Sequence, residues 1–497
     1  MTHRTAADIR AGIDHPIIDA DGHWLEYHPT LIEALERIGG PIAAEGFALF
    51  PKRVGRALSM TVEERRHRGV AQEIFWGYAT ANATDRATAL IPGFLYERLD
   101  ELGLDFSVLY PTHGLALPSL PDPEMRQRTC RAFNEYLVEH FGDYADRMTP
   151  AAVIPMFTPD EAIAELQHVR DLGLKAVVVG SLMRRPIPDV VARSPEAGRR
   201  AVWNDTLGID SLYDYDPVWD ACRSLGFSPT FHMGARGFGM RQSPTNFVYN
   251  HIGHFATASE AVCKSLFLNG VTRRFPEVNF GFLEGGVAWA ANLLSDLIGH
   301  WEKRNLQALE HTKPDNLDLD TLVALAERYG EAGLADRFRR REGLFDHESS
   351  NMTGGIDQLD DYARCDVSTA QDLVPLFTDT FYFGCEADDR MNSIAFNRKA
   401  NPFGATFKTL YGSDIGHFDV IDMTGVVPEA HELVDEGLMT SDDFRDFVFI
   451  NPVRFFGGTN SRFFNGTRVE HQVQAELSGS AARSAPASPT THRNGFT

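Results

Sequence analysis

The sequence has no apolar run long enough to cross a bilayer, so a helical membrane protein is excluded. The first residues, MTHRTAADIRAG, have no apolar core of the kind a secretory signal needs, and a cytoplasmic protein is expected. Cysteine is scarce. The five thiols (Cys130, Cys222, Cys263, Cys365, Cys385) form no CxxC pair, which excludes a disulfide framework and fits a reducing compartment. N-x-T triplets at Asn82, Asn351 and Asn465 are read as chance matches in that setting. Basic charge is also short. With 47 Lys and Arg against 69 Asp and Glu, net charge is -22, so neither nucleic acid nor an anionic membrane surface is an expected partner. No internal repeat is visible.

What is present is a series of short apolar runs, each ending in turn or polar residues. They cover 15–23, 104–114, 149–157, 174–181, 227–234, 278–286, 380–389 and 409–417. Unbroken apolar runs of this length read as strands buried on both faces, as in parallel sheets. Helical segments lie between them. Thr158–Gly173 opens with a Thr cap and Pro159 and closes on Gly173, and Asp216–Gly226 repeats the pattern. Strand and helix alternating eight times predict an α/β fold, a (β/α)8 TIM-type barrel. Residues 1–14 read as an N-terminal extension and 15–470 as the barrel. Insertions near 24–100 and 300–375 are expected to cap its C-terminal mouth. Segment 428–457 reads as a closing pair of helices. The Ser/Ala/Pro-rich end, 471–497, is expected to be disordered.

Catalysis in such barrels sits at the C-terminal ends of the strands. Five of the eight run ends carry metal-type residues. Run one ends in Asp19, Asp21 and His23, run five in His232, and run six in Glu284. Run seven ends in Glu386 and Asp389, and run eight in Asp414 with His417 beyond. Buried polar groups there would be costly without partners. On a strand, Asp21 and His23 point to the same side, so a D-x-H pair can grip one cation. The alternatives are structural: Asp19 capping a turn, His232 as a core histidine, and Glu284 pairing with Arg236 or Arg241. His251 and His254, after run five, would ligate, bind substrate or cap a helix. Glu26, His417, Glu386 and Asp389 read as groups behind the ligands, and Cys385 as packing.

The segments IDADGH, the run-five His, GVTRRFPEVNFGFLEGG and YGSDIGH resemble the amidohydrolase superfamily. The branch resembled contains aminocarboxymuconate semialdehyde decarboxylase, resorcylate-type decarboxylases and C–C bond hydrolases. The resemblance implies a metal held by Asp21, His23, His232 and Asp414, and a homodimer. The sequence departs from the pattern at Asp21, where the family has His, and at Glu284, again in place of His. Run four also lacks the bridging Lys of two-metal hydrolases. Carboxylate for imidazole hardens the site and favours iron or manganese over zinc. The chain is further similar to nonheme diiron monooxygenases built on an amidohydrolase-like barrel, the type found in platensimycin and platencin biosynthesis. That implies two irons held by Asp21, His23, His232, His254, Glu284 and Asp414, with Asp414, Glu284 and His254 catalytic. O2 would then hydroxylate a C–H bond of a bulky apolar acid or thioester. The alternative is a mononuclear hydrolase or decarboxylase, with one Zn or Mn, acting on a carboxylated or ring-cleaved small molecule.

Overall fold

The computed structural model describes residues 4–73, 81–180, 182–232, 234–344 and 359–484. Ten strands follow in chain order. They are β1 (Ile18–Trp24), β2 (Phe106–Pro111), β3 (Met148–Ile154), β4 (Ala176–Val179), β5 (Met183–Pro186), β6 (Val202–Asp205), β7 (Pro229–Phe231), β8 (Phe280–Phe282), β9 (Phe381–Glu386) and β10 (Lys408–Gly412). The eight apolar runs supply eight of them. These form one parallel sheet in the order β1-β2-β3-β4-β7-β8-β9-β10. The sheet closes on itself just past β10, where Asp414 N–H donates to Asp21 O (3.1 Å) and His23 N–H to Ile415 O (2.8 Å). The fold is a (β/α)8 barrel. Its strands are buried along almost their whole length, as runs without polar alternation require. Phe231, Phe282 and Phe383 stack across neighbouring strands and meet Trp289 and Phe377 of the surrounding helices, filling the layer between sheet and helices.

β5 and β6 form an antiparallel hairpin outside the barrel, which the sequence reading does not anticipate. It is pinned by buried Arg185, which donates to Asp205, Tyr215 Oη and Phe157 O. The described part of the first insertion is helical, with helices from His28–Gly39 to Pro92–Arg98, and reaches the loop after β7. Arg65 Nε donates to Pro244 O (2.7 Å), and Gln72 N–H to Ser243 O (2.8 Å). Part of it therefore lies at the mouth. The second insertion packs against the barrel's outer helices instead, with Tyr362 Oη donating to Leu297 O (2.8 Å). Residues 345–358 of that insertion lie outside the described residues.

The expectation of a disordered tail is corrected over its first part. Residues Glu470–Ser484 are helical. Val473 is fully buried, and Glu476 sits against Arg454 and Arg445. Ala, Gln and Glu support a helix once one apolar side chain anchors it, which composition alone does not reveal. Residues 485–497 lie outside the described residues.

Candidate metal centre

β1 delivers the first donors through an irregularity. Its register against β2 runs Asp19 to Ser107 and then Gly22 to Leu109, so two residues of β1 face one of β2. Such a bulge re-aims side chains. Asp19 is spent between strands: its carboxylate accepts from Ser107 Oγ (2.7 Å), Ser413 Oγ (2.7 Å) and Ser413 N (3.0 Å). Position 22 must be glycine, because a Cβ there would lie 2.4 Å from Asp19 Oδ2. Asp21 and His23, beyond the bulge, reach the mouth.

Two other donors sit on unusual backbone. Glu284 and Asp414 adopt positive φ (55° and 49°), a conformation non-glycine residues avoid at a cost of about 1–3 kcal/mol. Backbone bonds flanking these turns hold them, including Gly286 N–H to Gly384 O (3.0 Å) and the Asp414–Asp21 link. The result is convergence. His23 Nε2 lies 3.0 Å from His232 Nε2 and 3.5 Å from both Asp21 Oδ1 and Asp414 Oδ1. His232 Nε2 lies 3.3 Å from both Asp21 Oδ1 and Glu284 Oε2. Asp21 Oδ1, Glu284 Oε2 and Asp414 Oδ1 are buried and accept no hydrogen bond of normal geometry.

The charges make this arrangement unstable on its own. Burial, with Asp414, Glu386 and Asp21 nearby, pushes the Glu284 carboxyl well up. Burial, with Asp419 and Asp21, does the same to Asp414. Burial also works to raise Asp21, but His232 and His23 hold it below the usual carboxylate range. Glu386 is pushed to about 9 by burial and by Asp414 and Asp419. His23 and His417 are held neutral: His23 falls to about 3 and His417 to about 4, chiefly through burial. Neutral imidazoles among crowded, orphaned carboxylates are a donor set that a divalent cation satisfies. Two overlapping groups could hold one, Asp21–His23–His232 and His23–Glu284–Asp414–His417.

The remaining expected residues fall in different places. His417 lies closer in than the sequence reading put it, with Nδ1 at 2.5 Å from Asp414 Oδ1 and its ring stacked 3.7 Å from His23. His254 is not in the cluster, which corrects its assignment as a ligand. It begins the helix His254–Leu268, and its ring packs on Phe255, whose edge meets His232. His251 stacks on Phe247, also outside the cluster. Glu284 pairs with neither arginine, and Arg236 pairs instead with Glu73. Glu26 is buried and accepts N–H bonds from His113 and Gly114. Glu386 stands at the end of β9. Asp389 caps the turn 390–396 by accepting from Met391 N–H. Cys385 is buried packing.

Three neighbours escape a sequence reading. Tyr110, buried on β2, faces the rings of His23 and His232. Phe255 walls His232, and Asp419 reaches Asp414. Only Asp419 had a local signal, lying five residues past the run-eight Asp.

The barrel, the order of its strand-end ligand types and the family model described as Amidohydrolase, which matches residues 18–332, agree. The chain belongs to the amidohydrolase family. No curated protein matches this amidohydrolase. Among solved structures, a dihydroxybenzoic acid decarboxylase from Polaromonas sp. JS666, with bound manganese and 2-nitroresorcinol, is 12% identical. It covers 91% of this chain and 100% of its own at a TM-score of 0.49. 5-Carboxyvanillate decarboxylase from Sphingomonas paucimobilis is 14% identical, with 89% and 99% covered and a TM-score of 0.46. An amidohydrolase from Mycobacterium avium subsp. paratuberculosis K-10 is 18% identical, with 75% and 76% covered and a TM-score of 0.46. The expected iron pair and monooxygenase find no support in this family or geometry. Among the described residues, no helix is long and apolar enough to cross a membrane.

Proposed function

We propose that this amidohydrolase is a mononuclear metal-dependent decarboxylase or hydrolase acting on a small carboxylated or ring-cleaved molecule. The observation that carries the reading is the donor ring of Asp21, His23, His232, Glu284 and Asp414, in which the two Nε2 atoms lie 3.0 Å apart and each carboxylate has an oxygen within 3.5 Å of one of them. Adjacent donors around one octahedral ion, each at about 2.1 Å, lie roughly 3 Å apart. A dinuclear centre would spread its donors around two ions about 3.5–4 Å apart. Three hard oxygens and two imidazoles suit a six-coordinate ion such as manganese better than tetrahedral zinc. Such an ion, when bound, supplies a Lewis acid for a substrate oxygen or carboxylate.

The chain's own groups do the rest. Asp414, ionised as a ligand must be, could take a proton from water or from the substrate and return it to the carbon a carboxylate leaves. His417 lies against Asp414, with Nδ1 2.5 Å from Oδ1, and the stack on His23 fixes the His417 ring. Tyr110 and Phe255 wall the histidines and keep water from them.

The test is metal content by mass spectrometry on the full chain and on Glu284→Gln, with turnover assayed with and without oxygen. One divalent ion per chain, bound about tenfold or more weakly in the variant, with oxygen-independent turnover, is the expected result. Two irons per chain and consumption of oxygen would overturn the reading.

A further inference from the structure

His254 lies outside the donor ring, and the role proposed for that ring leaves it unused. It is 5% exposed, and neither ring nitrogen has a hydrogen-bond partner. A buried imidazole with nothing to bond is costly, and such groups call for an explanation. A second orphan lies beside it. Arg241 Nε is buried without a partner, while the guanidinium's NH2 donates to Gly253 O (3.1 Å), immediately before His254. The two unsatisfied groups therefore flank one peptide. The site is also shaped for this ring: a Cβ at Gly234 would lie 1.7 Å from His254 Nδ1, so only glycine seats it.

The charge around these groups is opposite to that of the whole molecule. In a chain of net charge -22, Arg236, Arg241 and His251 surround His254. Burial depresses its pKa to about 2, and the guanidinium groups of Arg236 and Arg241 add to that. Two carboxylates lie close by: Glu73 pairs with Arg236, and Asp419 acts on His251. The location is next to the metal centre, since Phe255 touches both the His254 and His232 rings. One wall is the surface loop 234–242, where Met240 is largely exposed.

We propose that His254 and Arg241 form a second subsite that takes a carboxylate or similar oxyanion of the substrate, so that the substrate carries two anionic groups. This rests on the reading of the ring as a metal centre. One group would sit at that centre. The other would accept N–H bonds from Arg241 Nε and His254, each of which is otherwise unmet. Charge-assisted bonds of this kind are the strong ones, and a site built for them rejects ligands that lack the acceptor.

The experiment is calorimetric titration of the manganese-loaded full chain with benzoate and with phthalate, isophthalate and terephthalate, which set three spacings between carboxylates. At least one dicarboxylate should bind about tenfold or more tightly than benzoate. Arg241→Met and His254→Phe should each abolish that preference while benzoate affinity and manganese content stay at the wild-type level. Equal binding of all four by the wild type would overturn the proposal, as would a preference that survives both variants. Arg241→Lys, which keeps the charge but lacks Nε–H, guards against misfolding and should retain only part of the preference. Failure of the wild type to hold manganese would instead remove the metal reading, and metal analysis registers that separately.

Discussion

Asp19 offers a quantitative test of how the barrel closes. Its carboxylate accepts from two serine hydroxyls and from the N–H groups of Ser413 and Asp21, tying β1 to β2 and to the turn after β10. Burial nevertheless raises its pKa from 3.8 to about 6, more than the hydrogen bonds lower it. A carboxyl raised on folding favours the native state most when protonated. Its contribution is fully present below about pH 4 and is lost as pH rises through about 6. A shift of roughly two units corresponds to about 3 kcal/mol. Asn at this position can accept both N–H bonds and donate to both hydroxyls without ever ionising. Asp19→Asn should therefore match wild type near pH 4 and exceed it by up to about 3 kcal/mol above pH 7. Asp19→Ala leaves all four partners buried and unmet and should lose about 3–5 kcal/mol near pH 4, and about 3 kcal/mol less above pH 7, where the wild type has itself lost that contribution. Urea melts of metal-stripped protein across this range, read as differences from wild type, cancel the other titrating groups. Parallel pH profiles for wild type and Asp19→Asn would refute the reasoning.

Two further outcomes follow from the same structure. Chelation should destabilise the protein, because it leaves Asp21, Glu284 and Asp414 crowded and unneutralised. At free metal one hundred times Kd the bound ion contributes about 2.7 kcal/mol, visible as a lowered Tm on adding EDTA and its recovery on adding manganese. Val473→Asp places a charge where a fully buried side chain anchors the C-terminal helix. It should cost about 3 kcal/mol or more in a denaturant melt, whereas a disordered segment would tolerate it.

The sequence by itself determined the architecture. Eight unbroken apolar runs can be buried only as strands covered on both faces, and each run became a barrel strand. It also determined which residue types stand at the strand ends, because a strand's last residues reach the mouth whatever the helices do. It did not determine which of them meet. The bulge between Asp19 and Gly22 lies in β1's pairing with β2, a partner more than eighty residues away, and it separates Asp19 from Asp21 although all three donors alternate in sequence. The left-handed turns at Glu284 and Asp414 are imposed by backbone bonds to neighbouring strands, since neither residue type prefers them. His254, in the same YNHIGH stretch as His251, looks like a ligand until the helix it begins turns it onto Phe255 and away from the donor ring. The tail helix was hidden for the same reason: its stability comes from Val473, Leu477 and Glu476 meeting the rest of the fold. Local sequence carries periodicity and residue type, but convergence on one ion depends on angles set by contacts far apart in the chain.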